Sequence, residues 1–139
     1  MRRAAADREG IVPMVPPQNS LPVRRAHLIG ICGTGMGSLA GLLADAGVEV
    51  RGSDESVYPP MSTMLRDKGI RVLEGYRAAH LDDRPDLVIV GNIATRKNPE
   101  AVAAVERGIP YLSMPQALGR LFLEGRHSIV VAGTHGKTT

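Results

Sequence analysis

The chain has 139 residues, 43% of them hydrophobic and 22% charged, a balance that excludes a disordered chain and suits a single folded domain. The net charge of +3 sits at one end: residues 1–25 carry five Arg against Asp7 and Glu9, and residues 26–139 carry twelve basic and twelve acidic side chains. With Tyr58, Tyr76, Tyr111 and Phe122 as the only aromatics there is neither a stacking platform nor a basic stripe for nucleic acid. A single cysteine, Cys32, precludes an internal disulfide and fits a reducing, cytoplasmic setting. The apolar runs are far shorter than the ~20 residues that span a bilayer, and no signal sequence follows Met1-Arg2-Arg3.

In chain order, residues 1–25 hold Pro13, Pro16, Pro17 and Pro22 without apolar periodicity and are expected to be a flexible Pro/Arg-rich tail. From His27 the pattern changes. Leu28-Ile29-Gly30-Ile31 reads as a buried parallel strand, and Met36, Leu39, Ala40, Leu42, Leu43 and Ala46 give a helical face that stops at Gly47. Then follow a strand from Glu49 to Gly52, a helix from about Pro60 to Lys68, and a strand from Ile70 to Leu73. Leu87–Val90 is the clearest buried strand; Asn98-Pro99 opens a helix through Arg107, Tyr111–Ser113 is a short strand, and Met114–Leu123 a helix. Ser128–Ala132 is expected to be a last strand. This alternation predicts an α/β fold, a Rossmann-like doubly wound parallel sheet over residues 26–125, followed in 126–139 by the first strand and phosphate loop of a truncated ATP-binding domain.

Two glycine-rich turns and one carboxylate carry the chemistry. Gly33, Thr34, Gly35, Met36 and Gly37 lie between the first strand and the first helix, where unpaired backbone N–H groups and the helix dipole favour a diphosphate. The turn lacks the third glycine of the dinucleotide fingerprint, which would fall at Ser38, so an NAD-dependent oxidoreductase is the weaker of two enzyme readings; a ligand-free tight turn is the bland one. Asp54, in Gly52-Ser53-Asp54, stands 19 residues after Gly35, where nucleotide-binding folds place a ribose acceptor, though a loop aspartate that turns the chain fits the spacing equally well. Gly133-Thr134-His135-Gly136-Lys137-Thr138 follows an apolar strand as an ATP phosphate loop does, with Lys137 for the phosphates and the Thr138 hydroxyl for Mg²⁺. Cys32 reads as a small packed residue, His27, His80 and His127 as surface or strand-end residues, and Asp82, Asp83 and Asp86 as a solvated loop.

Over residues 26–139 these motifs together resemble the Mur ligase family, whose phosphate loop dispenses with the first glycine, as here at Val131. The resemblance implies an ATP- and Mg²⁺-dependent ligase of peptidoglycan synthesis or recycling that activates UDP-N-acetylmuramic acid as an acyl phosphate and joins an amine to it. Carried over by motif, Gly33, Thr34, Gly35, Met36, Gly37, Ser53, Asp54 and Asn92 would bind the UDP-sugar. Gly133, Thr134, His135, Gly136, Lys137, Thr138 and Thr139 would bind ATP, with Lys137 catalytic and Thr138 on the metal. Tyr58-Pro59-Pro60-Met61-Ser62-Thr63, Gly91-Asn92 and Ile109-Pro110-Tyr111 look like the members that attach the tripeptide L-alanyl-γ-D-glutamyl-meso-diaminopimelate, whereas Gly35 is similar to those that attach L-alanine. Neither a nucleic-acid partner nor membrane insertion is expected. A stand-alone nucleotide-binding module would show the same motifs.

Overall fold

The computed structural model describes residues 21–92, 94 and 96–123. Five strands, β1 (Arg25–Ile29), β2 (Glu49–Asp54), β3 (Arg71–Glu74), β4 (Leu87–Val90) and β5 (Tyr111–Ser113), form one sheet in the order β3-β2-β1-β4-β5. Every pairing is parallel, with Leu28 opposite both Gly52 and Ile89. Helices α1 (Thr34–Asp45), α2 (Met61–Asp67), α3 (Pro99–Glu106) and α4 (Met114–Leu118) cover it.

The two faces follow from alternation along the strands. Ala26, Leu28, Val50, Leu87 and Ile89 join Leu39, Ala40 and Leu43 of α1 and Leu65 of α2 in one core; Ile29 and Val88 face the other way, against Ala103 and Ala104 of α3. Since successive strand side chains point to opposite faces and both faces are covered, the central strand β4, Leu87–Val90, reads as a continuous apolar run. α1 ends as expected at Gly47, whose φ of +93 turns the chain while Val48 N–H returns to the Leu43 carbonyl. α3 starts at the Asn98 cap, whose side chain accepts from the N–H groups of Glu100 and Ala101 ahead of Pro99.

Three details differ from the sequence reading. Leu21 and Val23 pack against the core, β1 begins at Arg25, and the Asp86 carboxylate accepts the N–H groups of Arg24 and Arg25 at 3.0 and 2.9 Å, so residues 21–25 are part of the fold. The helix from Met114 closes its α turns at Leu118 and widens into a π turn over Gly119–Leu123, which delivers Phe122 into the core. A 3₁₀ turn at Ala78–Leu81, too short to show periodicity, buries Leu81 under α3. The expected tail over residues 1–20, strand Ser128–Ala132 and phosphate loop lie outside the described residues.

Gly52 marks the tightest approach in the sheet. A Cβ there would stand 2.5 Å from the Leu28 carbonyl oxygen and 2.6 Å from the Ile31 side chain, whereas one at Gly119 would meet nothing within 4 Å. Gly52→Ala should therefore cost about 2–3 kcal/mol by overpacking, while Gly119→Ala should be neutral or add about 0.5 kcal/mol by restricting the unfolded chain. Urea unfolding of the two variants checks this, and equal midpoints would contradict the packing described.

Candidate functional site

Strand order reverses between β1 and β4, and the crevice at the carboxyl ends of these strands is where open α/β sheets bind ligands. Two chain segments form its lips. The first is the turn from Gly30 into α1, and the second is Gly91-Asn92 after β4.

The first turn is held from the side by the end of β2. Gly30 N–H and Ile31 N–H both donate to the Ser53 carbonyl at 2.8 and 3.1 Å, and Cys32 N–H donates to Asp54 Oδ2 at 3.0 Å. Gly33 N–H closes onto the Gly30 carbonyl at 3.2 Å, and Gly37 N–H onto the Gly33 carbonyl at 2.7 Å. Among the described residues, the N–H groups of Thr34, Gly35 and Met36 remain, in the first turn of α1, where helix geometry supplies no partner. No side chain caps this turn and no acidic residue lies in it. The partial positive end of a 12-residue helix is thereby left open toward the crevice.

The expected site residues separate into distinct roles. Gly33, Thr34 and Gly35 are exposed at the lip, and Asn92 is exposed opposite them. Met36 is buried: its side chain packs beside Gly91, so only its N–H remains for the crevice. Gly37 is buried too, and a Cβ there would lie 2.6 Å from Met61 Sδ, so its smallness serves the contact of α1 with α2. Asp54 is 5% exposed, with Oδ2 on Cys32 N–H and Oδ1 on Ser56 N–H at 3.1 Å; its first task is to shape the turn. Ser53 points its hydroxyl away from the crevice into the interior, where it donates to Glu100 Oε1 at 2.5 Å. Gly133, Thr134, His135, Gly136, Lys137, Thr138 and Thr139 lie outside the described residues.

Beneath β1 and β2 lies a polar cluster that sequence reasoning missed. Glu100 and His27 are both 0% exposed. Glu100 Oε1 accepts from His27 Nε2 at 2.7 Å as well as from Ser53, and Oε2 accepts from His80 Nδ1 at 2.6 Å and Arg77 N–H at 3.1 Å. Arg51 Nε donates to His27 Nδ1 at 3.3 Å. Because arginine only donates, the His27 ring carries its proton on Nε2, toward Glu100. The Arg51 guanidinium also grips both oxygens of Asp83 and reaches the His80 carbonyl at 2.7 Å. His27 and His80 are thus internal hydrogen-bonding residues rather than surface ones, and Asp83 and Asp86, though exposed, are engaged. The one available signal was His27 itself, a polar residue next to a strand expected to be buried on both faces; once β1 extends through it, it demands a partner. Nothing in Asn98-Pro99-Glu100 announces that Glu100 is the partner, because an acidic residue in a first helical turn is favourable on its own.

Burial is the largest single influence on Glu100 and acts to raise its pKa, but the hydrogen bonds from His27 and Ser53, the electrostatic attraction of His27 and the hydrogen bond from His80 together outweigh it and hold the carboxyl below its ordinary 4.5. Burial, followed by the charge of Asp54, pushes the Cys32 thiol up, which opposes a nucleophilic role. Next to the crevice, a cleft of about 740 Å³ opens between α3 and β5, lined by Asn92, Val102, Val105, Tyr111, Ser113 and Gln116 among others. Among the described residues no group of His, Cys, Asp and Glu is placed to hold a metal ion, and no helix is long and apolar enough to cross a membrane.

The profile described as "Mur ligase family, catalytic domain" matches residues 25–126, which is most of the chain. The chain belongs to the Mur ligase family. It is 55% identical over 115 residues to the UDP-N-acetylmuramate–L-alanyl-γ-D-glutamyl-meso-2,6-diaminoheptandioate ligase of Escherichia coli strain K12, a match that covers 83% of this chain and 25% of that protein. It is 45% identical over 117 residues to the UDP-N-acetylmuramate–L-alanine ligase of Kineococcus radiotolerans, covering 83% of this chain and 24% of that one. The crystal structure of a murein peptide ligase from Psychrobacter arcticus superposes with a TM-score of 0.79 at 50% identity, over 83% of this chain and 24% of that chain. The chain thus spans about a quarter of the length of the relatives it matches.

For this Mur ligase domain the lowered Glu100 value fixes a sign. A carboxylate depressed in the folded state adds stability that is fully present above the unfolded value, near 4.5, and is lost as the pH falls through the lower folded value. Urea unfolding followed from about pH 6 to about pH 3 should show this loss. Glu100→Gln should be less stable at the upper end of that range and show a shallower acid slope. An equal slope in both proteins would contradict the assignment.

Proposed function

We propose that this chain is the nucleotide-sugar-binding part of an ATP-dependent ligase that joins a peptide or amino acid to UDP-N-acetylmuramic acid. The observation that carries the proposal is the open first turn of α1. The N–H groups of Thr34, Gly35 and Met36 have no intrahelical partner, no side-chain cap and no acidic residue within their own turn, at the point where the strand order reverses. Such a turn accepts the oxygens of a diphosphate, since its N–H groups are fixed before the ligand arrives and gain most from a doubly charged acceptor. Gly33 keeps a side chain out of the path, and Gly35 does so while also leaving room for Met114. The exposed Asn92 and the cleft beyond it offer a polar contact and an apolar wall for the parts of the ligand that flank the diphosphate. Asp54 keeps carboxylate lone pairs beyond the two it uses internally, and these would accept from a ribose hydroxyl.

The chemistry of the whole enzyme is inferred from the relatives' printed activities and from the phosphate-loop motif. ATP, held by Gly133–Thr139 with Lys137 on its phosphates and Thr138 on Mg²⁺, would phosphorylate the lactyl carboxylate of the muramic acid. The incoming amine would then displace phosphate to leave an amide. The described residues would contribute binding and orientation to that sequence, not bond making. Higher identity to a tripeptide-adding relative, 55% against 45% for an L-alanine-adding one, favours L-alanyl-γ-D-glutamyl-meso-diaminopimelate as the amine. Steady-state comparison of the two donors with the complete enzyme should give the higher kcat/KM for the tripeptide.

A single substitution separates ligand binding from folding. Thr34→Glu places a negative charge in the open first turn, where it should raise helix stability by about 0.3–1 kcal/mol through the dipole. The same charge should repel a diphosphate and weaken UDP-N-acetylmuramic acid binding by about tenfold or more, a cost of at least ~1.4 kcal/mol. Calorimetry and thermal unfolding on one preparation read both effects. Unchanged affinity in the variant, or tighter binding of NAD than of the UDP-sugar by the parent chain, would overturn the proposal.

A further inference from the structure

Glu100 is remote from the open turn of α1 along the sequence and is fully buried, yet a chain of hydrogen bonds links it to the lip that this turn forms. On one side its carboxylate receives the Ser53 hydroxyl at 2.5 Å, and the Ser53 carbonyl receives Gly30 and Ile31 N–H at 2.8 and 3.1 Å. The next residue, Asp54, receives Cys32 N–H at 3.0 Å. Three consecutive N–H groups are thereby used by the end of β2, and the open ones begin only at Thr34. Glu100 itself stands in the first turn of α3, two residues after the Asn98 cap. Its other oxygen takes His80 and Arg77 N–H, which ties the 3₁₀ turn to the same point.

We infer that Glu100 is a positioning residue for the ligand crevice: its buried carboxylate fixes the end of β2, and through it the Gly30–Gly33 turn, relative to α3. The inference rests on the reading of the α1 turn as a diphosphate site. A carboxylate suits the task better than an amide. It accepts on both oxygens from four donors that approach from β1, β2, the 3₁₀ turn and the chain before it, whereas a carboxamide would turn one NH₂ group toward a donor. Loss of one acceptor would leave a donor unpaired in the interior and let the end of β2 relax, carrying the turn with it. A merely structural role would lower global stability without singling out this turn.

The test uses the 139-residue chain, uridine diphosphate as the probe, and four variants: Glu100→Gln, Ser53→Ala, the double variant, and Ile109→Ala, a core truncation at the far end of α3. Affinity is read by calorimetry, and amide hydrogen exchange is compared at Gly30 and Ile31 and, as the reference, at buried Leu43. Both single variants should weaken binding about tenfold, and the double variant no more than the larger single effect, because the two groups act along one path. Exchange at Gly30 and Ile31 should accelerate more than at Leu43. Ile109→Ala should leave affinity within about twofold once corrected for the folded fraction. Affinities of Glu100→Gln and Ser53→Ala within about twofold of the parent, weaker binding without selective exchange at the turn, or an equal loss in Ile109→Ala would each overturn the positioning role. If Glu100→Gln fails to fold, Ser53→Ala, which keeps the carboxylate, decides the matter. If the parent chain does not bind uridine diphosphate, the diphosphate reading fails, and the exchange comparison alone then confirms or overturns the positioning role.

Discussion

A helix that starts straight out of a parallel strand leaves backbone N–H groups to be satisfied at its first turn, and the arrangement of this domain follows from how that demand is met. The end of β2 takes the N–H groups of Gly30, Ile31 and Cys32, and the turn closes on itself at Gly33. What stays open is confined to Thr34, Gly35 and Met36. The fold thus uses part of one set of donors and leaves the rest for the proposed ligand, and the dividing line is set by two residues of a neighbouring strand. Without the Ser53 carbonyl and the Asp54 carboxylate the turn would have no fixed shape, and an anion would have to order it on arrival.

The glycines of the region look alike in the sequence but meet different constraints. Gly30 needs a positive φ of 82° to leave β1. Gly33 and Gly35 lie exposed at the lip; a Cβ on Gly33 would make only ordinary contact with its surroundings, whereas one on Gly35 would stand 2.9 Å from Met114 Cε. Gly37 and Gly91 are packing residues: the first makes room for Met61, and the second lets the chain after β4 pass the Ile29 carbonyl and Met36. A fingerprint that counts glycines therefore mixes ligand approach with helix packing. Ser38 at the fingerprint's third glycine position is tolerated because it is exposed on α1 and meets neither constraint.

The polar cluster under the sheet carries a cost that an apolar core would not. A buried carboxylate loses several kcal/mol of hydration, and its partners must restore that by good geometry. Here every donor is present, and among the described residues no buried side-chain nitrogen or oxygen lacks a partner. Arg51 links the cluster to Asp83 at the surface, whose pKa is lowered chiefly by the hydrogen bond from Arg51. A saturated network of this kind has one satisfactory arrangement, so it defines the spacing of β1, β2 and α3 more sharply than interchangeable apolar contacts would.

The sequence alone determined the succession of strands and helices, the doubly wound sheet, the stop at Gly47, the cap at Asn98 and the position of the glycine-rich turn before α1, because each rests on local periodicity or on a backbone conformation only certain residues adopt. Motif resemblance also reached the family. It did not reveal that Ser53 faces inward, that Asp54 spends two lone pairs on the turn, that Gly37 is a packing residue, or that Glu100 and His27 are partners. His27 and Glu100 are separated by 73 positions and meet only because β1 and α3 are layered face to face. Local chemistry is written in neighbouring residues, but the direction a polar side chain takes depends on which distant donor the fold brings within reach, and that was decided only when the sheet and its two helical layers closed.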